Sequence, residues 1–148
     1  IDDCFDVTSN TLNVVFDHLD KHDVYLEGIL LKPNMVISGK NSNNRADKYQ
    51  VAEMSLKCFQ NSVPSEVPGI IFLSGGQEDV ESIENLDEIN KIAKENQMPW
   101  ELSFSYGRGL QSSTLKKWAG KMENIEAAQS ELISRCEQVS LARQGLVN

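Results

Sequence analysis

The stretch Gly69-Ile70-Ile71-Phe72-Leu73-Ser74-Gly75-Gly76 is a short apolar run that stops at a serine and two glycines. Such a run, closed by a turn signal, reads as a strand buried on both faces of a parallel sheet. Two other runs have the same form. Val24-Tyr25-Leu26-Glu27-Gly28-Ile29-Leu30-Leu31 ends at Lys32-Pro33-Asn34, and Glu101-Leu102-Ser103-Phe104 ends at Ser105-Tyr106-Gly107-Arg108-Gly109.

Outside these runs the apolar period becomes helical. Leu12, Val15, Phe16 and Leu19 are spaced for one helix face, with Thr8, Ser9 or Asn10 as candidate N-caps. Val51, Met54 and Cys58 form a stripe on the segment 47–61, and Ile83, Leu86, Ile89 and Ala93 form another. Leu110, Leu115 and Trp118 suggest a short helix; Ile125, Ala128, Leu132, Cys136 and Val139 suggest a long final one after Gly120. Strands alternating with helices imply parallel strands joined by crossover helices, an α/β fold. The polar stretch 38–47 reads as an exposed loop, and no linker divides the chain into two domains. Three strands cannot close a barrel, and a (β/α)8 TIM barrel takes about 250 residues. The chain is therefore expected to supply roughly half of one, and the missing initiator Met agrees with a beginning inside something larger.

Composition narrows the classes of partner. With 40% hydrophobic and 24% charged residues, the 148-residue chain matches a globular domain. A formal net charge of −8 argues against a nucleic-acid backbone or an acidic membrane surface as partner. No apolar run reaches the roughly 18 residues of a membrane helix, and no signal peptide is visible. Cys4, Cys58 and Cys136 show no CxxC spacing, so three reduced, partly buried thiols of a cytoplasmic protein are expected.

The chemistry is concentrated at the C-terminal ends of the three runs, where α/β proteins place ligands. The N-terminal ends carry Glu27 and Glu101, for which a structural role is expected. Alternation puts Lys32 on the same face as Gly28 and Leu30, opposite Ile29 and Leu31. A lysine pointing into a barrel is partly desolvated, which frees its amine for attack on a carbonyl; a strand-end lysine can equally snorkel to solvent. Ser74-Gly75-Gly76 allows close backbone approach and turns N–H groups toward an anion, or is simply a turn. In Ser105-Tyr106-Gly107-Arg108 the arginine is shaped to grip phosphate oxygens, or to make a surface ion pair. His18 and His22 have a zinc-compatible spacing, but no third ligand suggests itself, so an exposed helix face is expected there. The acidic stretch Glu78 to Glu88 reads as a solvated helix face, and Trp100 and Trp118 read as packing residues.

Leu30-Leu31-Lys32-Pro33-Asn34-Met35-Val36, Phe72-Leu73-Ser74-Gly75-Gly76-Gln77 and Phe104-Ser105-Tyr106-Gly107-Arg108 closely resemble three motifs of class I fructose-bisphosphate aldolase. The likeness runs from about Val24 to about Gly145 and includes Trp118 and Lys121-Met122-Glu123-Asn124. It implies that residues 1–148 are the C-terminal portion of a single (β/α)8 barrel, its last three βα units and final helix. It further implies a cytoplasmic homotetramer that cleaves fructose 1,6-bisphosphate into dihydroxyacetone phosphate and glyceraldehyde 3-phosphate without metal or cofactor. By the same resemblance Lys32 is the Schiff-base lysine, while Ser74, Gly75, Gly76, Ser105, Gly107 and Arg108 bind a substrate phosphate.

The family's acid/base carboxylates and other active-site lysines belong to earlier strands, and its mobile tail ends in a tyrosine, whereas this sequence stops at Asn148. Gly109 stands where a slightly larger small residue is common, and the loop 38–47 is unusually rich in asparagine. The isolated segment is accordingly expected to be inactive. The alternative is a truncated relative that serves as a phosphate-binding or scaffolding chain.

Overall fold

The computed structural model describes residues 1–147. Its elements run α1 (Asp2–Lys21), β1 (Leu30–Leu31), α2 (Lys48–Ser62), β2 (Gly69–Phe72), α3 (Asp79–Glu95), β3 (Glu101–Phe104), α4 (Arg108–Trp118) and α5 (Ile125–Arg143). The strands form one parallel sheet in the order β1-β2-β3. Leu30 and Leu31 pair with Gly69 and Ile70, and β2 pairs with β3 from Gly69 opposite Glu101 to Phe72 opposite Phe104. The expected strand-helix alternation is present three times over.

The sheet is not covered on both faces. Leu31, Ile70, Phe72 and Leu102 face the helices and join a core with Phe59, Leu56, Leu86 and Ile89. On the opposite face Leu30 is 59% exposed, Lys32 is exposed, and Ile71 and Ser103 are only half-buried. Apolar character on both faces is what a barrel strand needs, because its second face is closed by strands across the lumen. Such strands lie outside this sheet, so Leu30 is left in solvent.

Several element boundaries differ from the sequence-based expectation. The first strand shrinks to Leu30–Leu31, because Leu26–Gly28 makes a turn of 3-10 helix instead. Helix α1 starts at Asp2 rather than near Thr8, since Ile1, Cys4 and Phe5 continue the apolar stripe backwards. Asp2 and Asp3 also place negative charge in its first turn. Thr11 is accommodated inside this helix by donating its hydroxyl to the Val7 carbonyl at 2.7 Å. Helix α2 starts as its sequence suggests, with Asp47 and Gln50 forming a capping box: Gln50 N–H donates to Asp47 Oδ1 at 2.9 Å and Asp47 N–H to Gln50 Oε1 at 3.3 Å.

The later helices bury only part of their expected stripes, Ala128 and Val139 among them. Helix α5 buries Ala128, Arg135, Val139 and Ala142, while Leu132 and Cys136 face solvent. In α4 only Gly109 is buried; Leu115 and Trp118 are exposed, so Trp118 does not pack. Trp100 does, donating its indole N–H to the Pro64 carbonyl at 3.0 Å. The acidic segment at α3 is not simply a solvated face, because Asp87 and Glu88 are buried. Helix α3 packs against both α2 and α5, which widens its buried face well beyond the apolar stripe. Asp87 is compensated there by Lys91 at 2.5 Å and by the Val147 N–H at 2.9 Å.

Two outcomes follow from this architecture. Phe72 is fully buried at the end of the central strand, so Phe72→Ala should destabilise the fold by about 3–5 kcal/mol in a denaturant titration. The outer strands β1 and β3 each keep an unpaired edge in this sheet, beside the exposed Leu30. The isolated chain should therefore self-associate with rising concentration in sedimentation velocity. A single, concentration-independent species would contradict that expectation.

Candidate active site

The parallel ladder continues past the ends of the strands. Leu73 N–H donates to the Pro33 carbonyl at 3.1 Å, and Ser105 N–H donates to the Phe72 carbonyl at 2.8 Å. These bonds hold the segments after β1, β2 and β3 side by side, so Lys32, Ser74 and Ser105 emerge along one edge of the sheet. Lys32 alternates to the open face with Leu30, as its spacing suggests. Its ammonium is exposed there, so the expected desolvation is not produced by the described residues. The lumen wall that would surround it is not part of this sheet.

After β2 the chain makes a left-handed turn, with φ of +59° at Gly75 and +79° at Gly76. Neighbouring groups enforce it. A Cβ on Gly75 would stand 2.0 Å from Asn34 Oδ1, two residues beyond Lys32, whereas one on Gly76 would meet nothing within 4 Å. From below, the buried Gln77 side chain donates to the Ser74 carbonyl at 2.9 Å and accepts from Asn85 Nδ2 at 2.7 Å. The turn is therefore held from both sides.

After β3, Gly107 caps α4, and its carbonyl accepts from the N–H groups of Leu110 and Gln111, each at 3.1 Å. The N–H groups of Arg108 and Gly109, the first two of this 11-residue helix, have no intrahelical acceptors, and the helix dipole favours an anion at this end. Tyr106 anchors the turn by donating its hydroxyl to the Ser82 carbonyl of α3 at 3.0 Å. Burial pushes the Tyr106 phenol well above its usual range, which keeps it a neutral donor. Gly109 lies directly against the other turn: a Cβ there would come within 3.2 Å of Ser74 Cβ and 3.3 Å of the Tyr106 ring. A larger residue at this position would therefore need a small shift of one neighbour.

Ser74, Gly76, Arg108, Gly109, Ser112 and Lys116 line one cleft of about 220 Å³ together with Gln77, Glu78 and Asp79. Two cations, two hydroxyls and a helix N-terminus converge on this small volume beside the two carboxylates, and together they offer an anion such as phosphate several donors. Gly75 faces a separate, larger cleft of about 520 Å³, shared with Asn34, Gly76, Lys40 and Arg45. Ser105 contributes through its backbone pairing and Gly107 as the helix cap, and neither lines the small cleft. Lys32 is likewise outside it, on the open face of the sheet. His18 and His22 are exposed at the end of α1, and no group of three potential metal ligands occurs among the described residues.

The supporting residues Asn34, Gln77, Asn85, Tyr106 and Ser82 carry no distinctive chemistry as letters. Asn34, Gln77 and Tyr106 belong to the three strand-end motifs, whereas Asn85 shows only as a polar residue inside an apolar-periodic segment. Because Gly75 combines a positive φ with a steric clash and Gly76 only a positive φ, Gly75→Ala should cost more stability than Gly76→Ala. The expected penalties are about 2–3 and about 1 kcal/mol respectively in denaturant unfolding, and equal penalties would contradict the Asn34 contact.

The family model of class I fructose-bisphosphate aldolase matches residues 1–148. Fructose-bisphosphate aldolase 2, chloroplastic, of Arabidopsis thaliana is 47% identical over 145 residues, which are 98% of this chain and 35% of that protein. Fructose-bisphosphate aldolase 1 of Caenorhabditis elegans is 46% identical over 140 residues, 94% of this chain and 38% of that protein. Among solved structures, the fructose-bisphosphate aldolase of Plasmodium falciparum, determined with TRAP and a small-molecule inhibitor, superposes with a TM-score of 0.94 at 41% identity. That superposition covers 99% of this chain and 42% of the Plasmodium chain. The chain spans little more than a third of the length of these curated relatives, as one portion of their barrel. It belongs to the class I fructose-bisphosphate aldolase family.

Proposed function

We propose that this chain supplies the Schiff-base lysine and one phosphate site of an enzyme that reversibly cleaves fructose 1,6-bisphosphate. The products are dihydroxyacetone phosphate and glyceraldehyde 3-phosphate. The observation that carries the reading is the alignment of Lys32 with two anion-binding turns along one sheet edge, in a chain of this family. In this reading the cleft between the β2 and β3 turns holds a phosphate through Ser74, Gly76 and Arg108, with the Gly75 and Gly107 backbones shaping it. Ser105 holds the two turns in register.

Anchoring the phosphate brings the substrate ketone to the Lys32 amine, converting a bimolecular encounter into a local one. The amine adds to C2, and loss of water leaves a protonated imine. A base removes the C4 hydroxyl proton and the C3–C4 bond breaks. Its electron pair flows into the imine as an enamine, and glyceraldehyde 3-phosphate departs. Proton return to C3 and hydrolysis of the imine release dihydroxyacetone phosphate and restore Lys32. The electron sink is the cationic nitrogen, so the scheme calls for neither metal nor cofactor. The acid/base carboxylates belong to the strands that complete the barrel, and the isolated chain lacks the means to turn over. A purely phosphate-binding scaffold is the weaker reading, because it gives the nucleophilic lysine no role. We further propose a homotetrameric, cytoplasmic enzyme, although the relatives include both chloroplastic and cytosolic forms.

Borohydride reduction of the complete protein with dihydroxyacetone phosphate, followed by peptide mass mapping, should attach the ketone to Lys32. Label on another lysine, or none in an active preparation, would overturn the assignment. Lys32→Arg should abolish trapping and lower kcat on the order of 10³-fold or more, since no positioned nucleophile remains.

A further inference from the structure

Arg135 of α5 is 5% exposed, and the cleavage chemistry above gives it no role. Its guanidinium reaches the underside of the phosphate cleft, where the two turns that build the cleft meet. Nη2 donates to the Gly109 carbonyl in the first turn of α4 at 2.6 Å, and makes a longer contact of 3.5 Å to the Asp79 carbonyl at the start of α3. Nε faces Asp79 Oδ2 at 3.9 Å without a hydrogen bond, and Nη1 donates to Gln138 Oε1 at 3.2 Å.

Burying a guanidinium is costly, and an apolar side chain of similar volume would serve packing at least as well. What an apolar side chain cannot do is grip two backbone segments at once. Gly109 follows β3 and Asp79 follows β2, so the two lie in different βα units and no strand pairing connects them directly. Nη2 makes both backbone contacts, and it is aimed between them because Gln138 holds Nη1 and Nε faces Asp79 Oδ2; a lysine ammonium has no such planar group to be oriented. Fixing the Gly109 carbonyl also fixes the first-turn peptides of α4, and so the direction in which the N–H groups of Arg108 and Gly109 point.

We propose that Arg135 is a positioning residue for phosphate, locking the α4 N-terminus to the α3 N-terminus so that both turns present their donors to one anion. The proposal rests on the phosphate-site reading given above. Arg135 does not touch substrate; it acts through Gly109 and Asp79. Its buried positive charge behind the cleft adds to the attraction for an anion.

The test uses the complete protein that carries this chain, with variants R135K and R135M and two probes. Inorganic phosphate reports the cleft, and unphosphorylated dihydroxyacetone, trapped on Lys32 by borohydride at saturating concentration, reports the amine. In R135M the phosphate Kd and the KM for fructose 1,6-bisphosphate should rise at least about tenfold, a change of about 1.4 kcal/mol, while dihydroxyacetone trapping stays unchanged. R135K keeps the charge and much of the length, so it should fold with a Tm near that of the parent yet recover only part of the phosphate affinity. It carries the test alone if R135M fails to fold. A folded R135K with parental phosphate Kd overturns the proposal. So does a parallel fall in phosphate binding and dihydroxyacetone trapping, which would mark general damage. Arg108→Ala checks the cleft separately: it should weaken phosphate binding, and if binding is unaffected, the cleft reading falls and the role of Arg135 with it.

Discussion

The parallel hydrogen-bond ladder at the C-terminal end of the sheet is the constraint on which the rest depends. Its last rungs run from Leu73 to Pro33, beyond both strands, and from Ser105, just past β3, to Phe72 at the end of β2. They keep three polar chain segments at the spacing of neighbouring strands just where each leaves the sheet. Without them, Lys32, the Ser74-Gly75-Gly76 turn and the α4 N-terminus would be three separate surface features. With them, the lysine and the two glycine-containing turns share one edge. The ladder is secured in turn by the apolar layer beneath it, where Ile70, Phe72 and Leu102 pack on α2 and α3.

A second tier of buried polar contacts turns that edge into a shaped site. Gln77 and Asn85 hold the carbonyl side of the glycine turn, Tyr106 ties the third strand end to α3, and Arg135 reaches beneath both turns. Buried polar groups are tolerable only when they are satisfied, and when they are satisfied they specify one arrangement. The glycines complete the logic. Gly75 lies so close to Asn34, and Gly109 so close to Ser74, that neighbouring strand ends meet backbone to side chain with little spare room. A phosphate held against such turns meets donors that need not reorganise, which is the condition for electrostatic binding to be strong.

The open face of the sheet shows how the site is divided between this chain and the rest of a barrel. Leu30 and Lys32 point where a barrel lumen would be, and they are exposed because the opposing wall belongs to strands outside this sheet. Barrel chemistry is distributed by construction, with catalytic groups drawn from several strand ends. The same division separates the electron-accepting amine from the groups that move protons in the proposed reaction.

Strand and helix order and the three strand ends were legible in the letters, because short apolar runs closed by Pro or Gly and helical stripes are local patterns. The motifs around Lys32, Ser74 and Arg108 also carried the family. Other features were decided only by tertiary structure. Leu132, Cys136, Leu115 and Trp118 look like core residues by period yet face solvent, since which side of a helix is covered depends on its neighbours. Asp87, Glu88 and Arg135 look like surface charges yet are buried, because α3 is flanked on two sides and α5 closes over the paired turns. The first strand read as eight residues and kept two, the segment before it yielding to a 3-10 turn. Local pattern determined what each segment is. Packing between distant segments decided which side chains meet at the cleft, and that depends on contacts no single stretch of sequence contains.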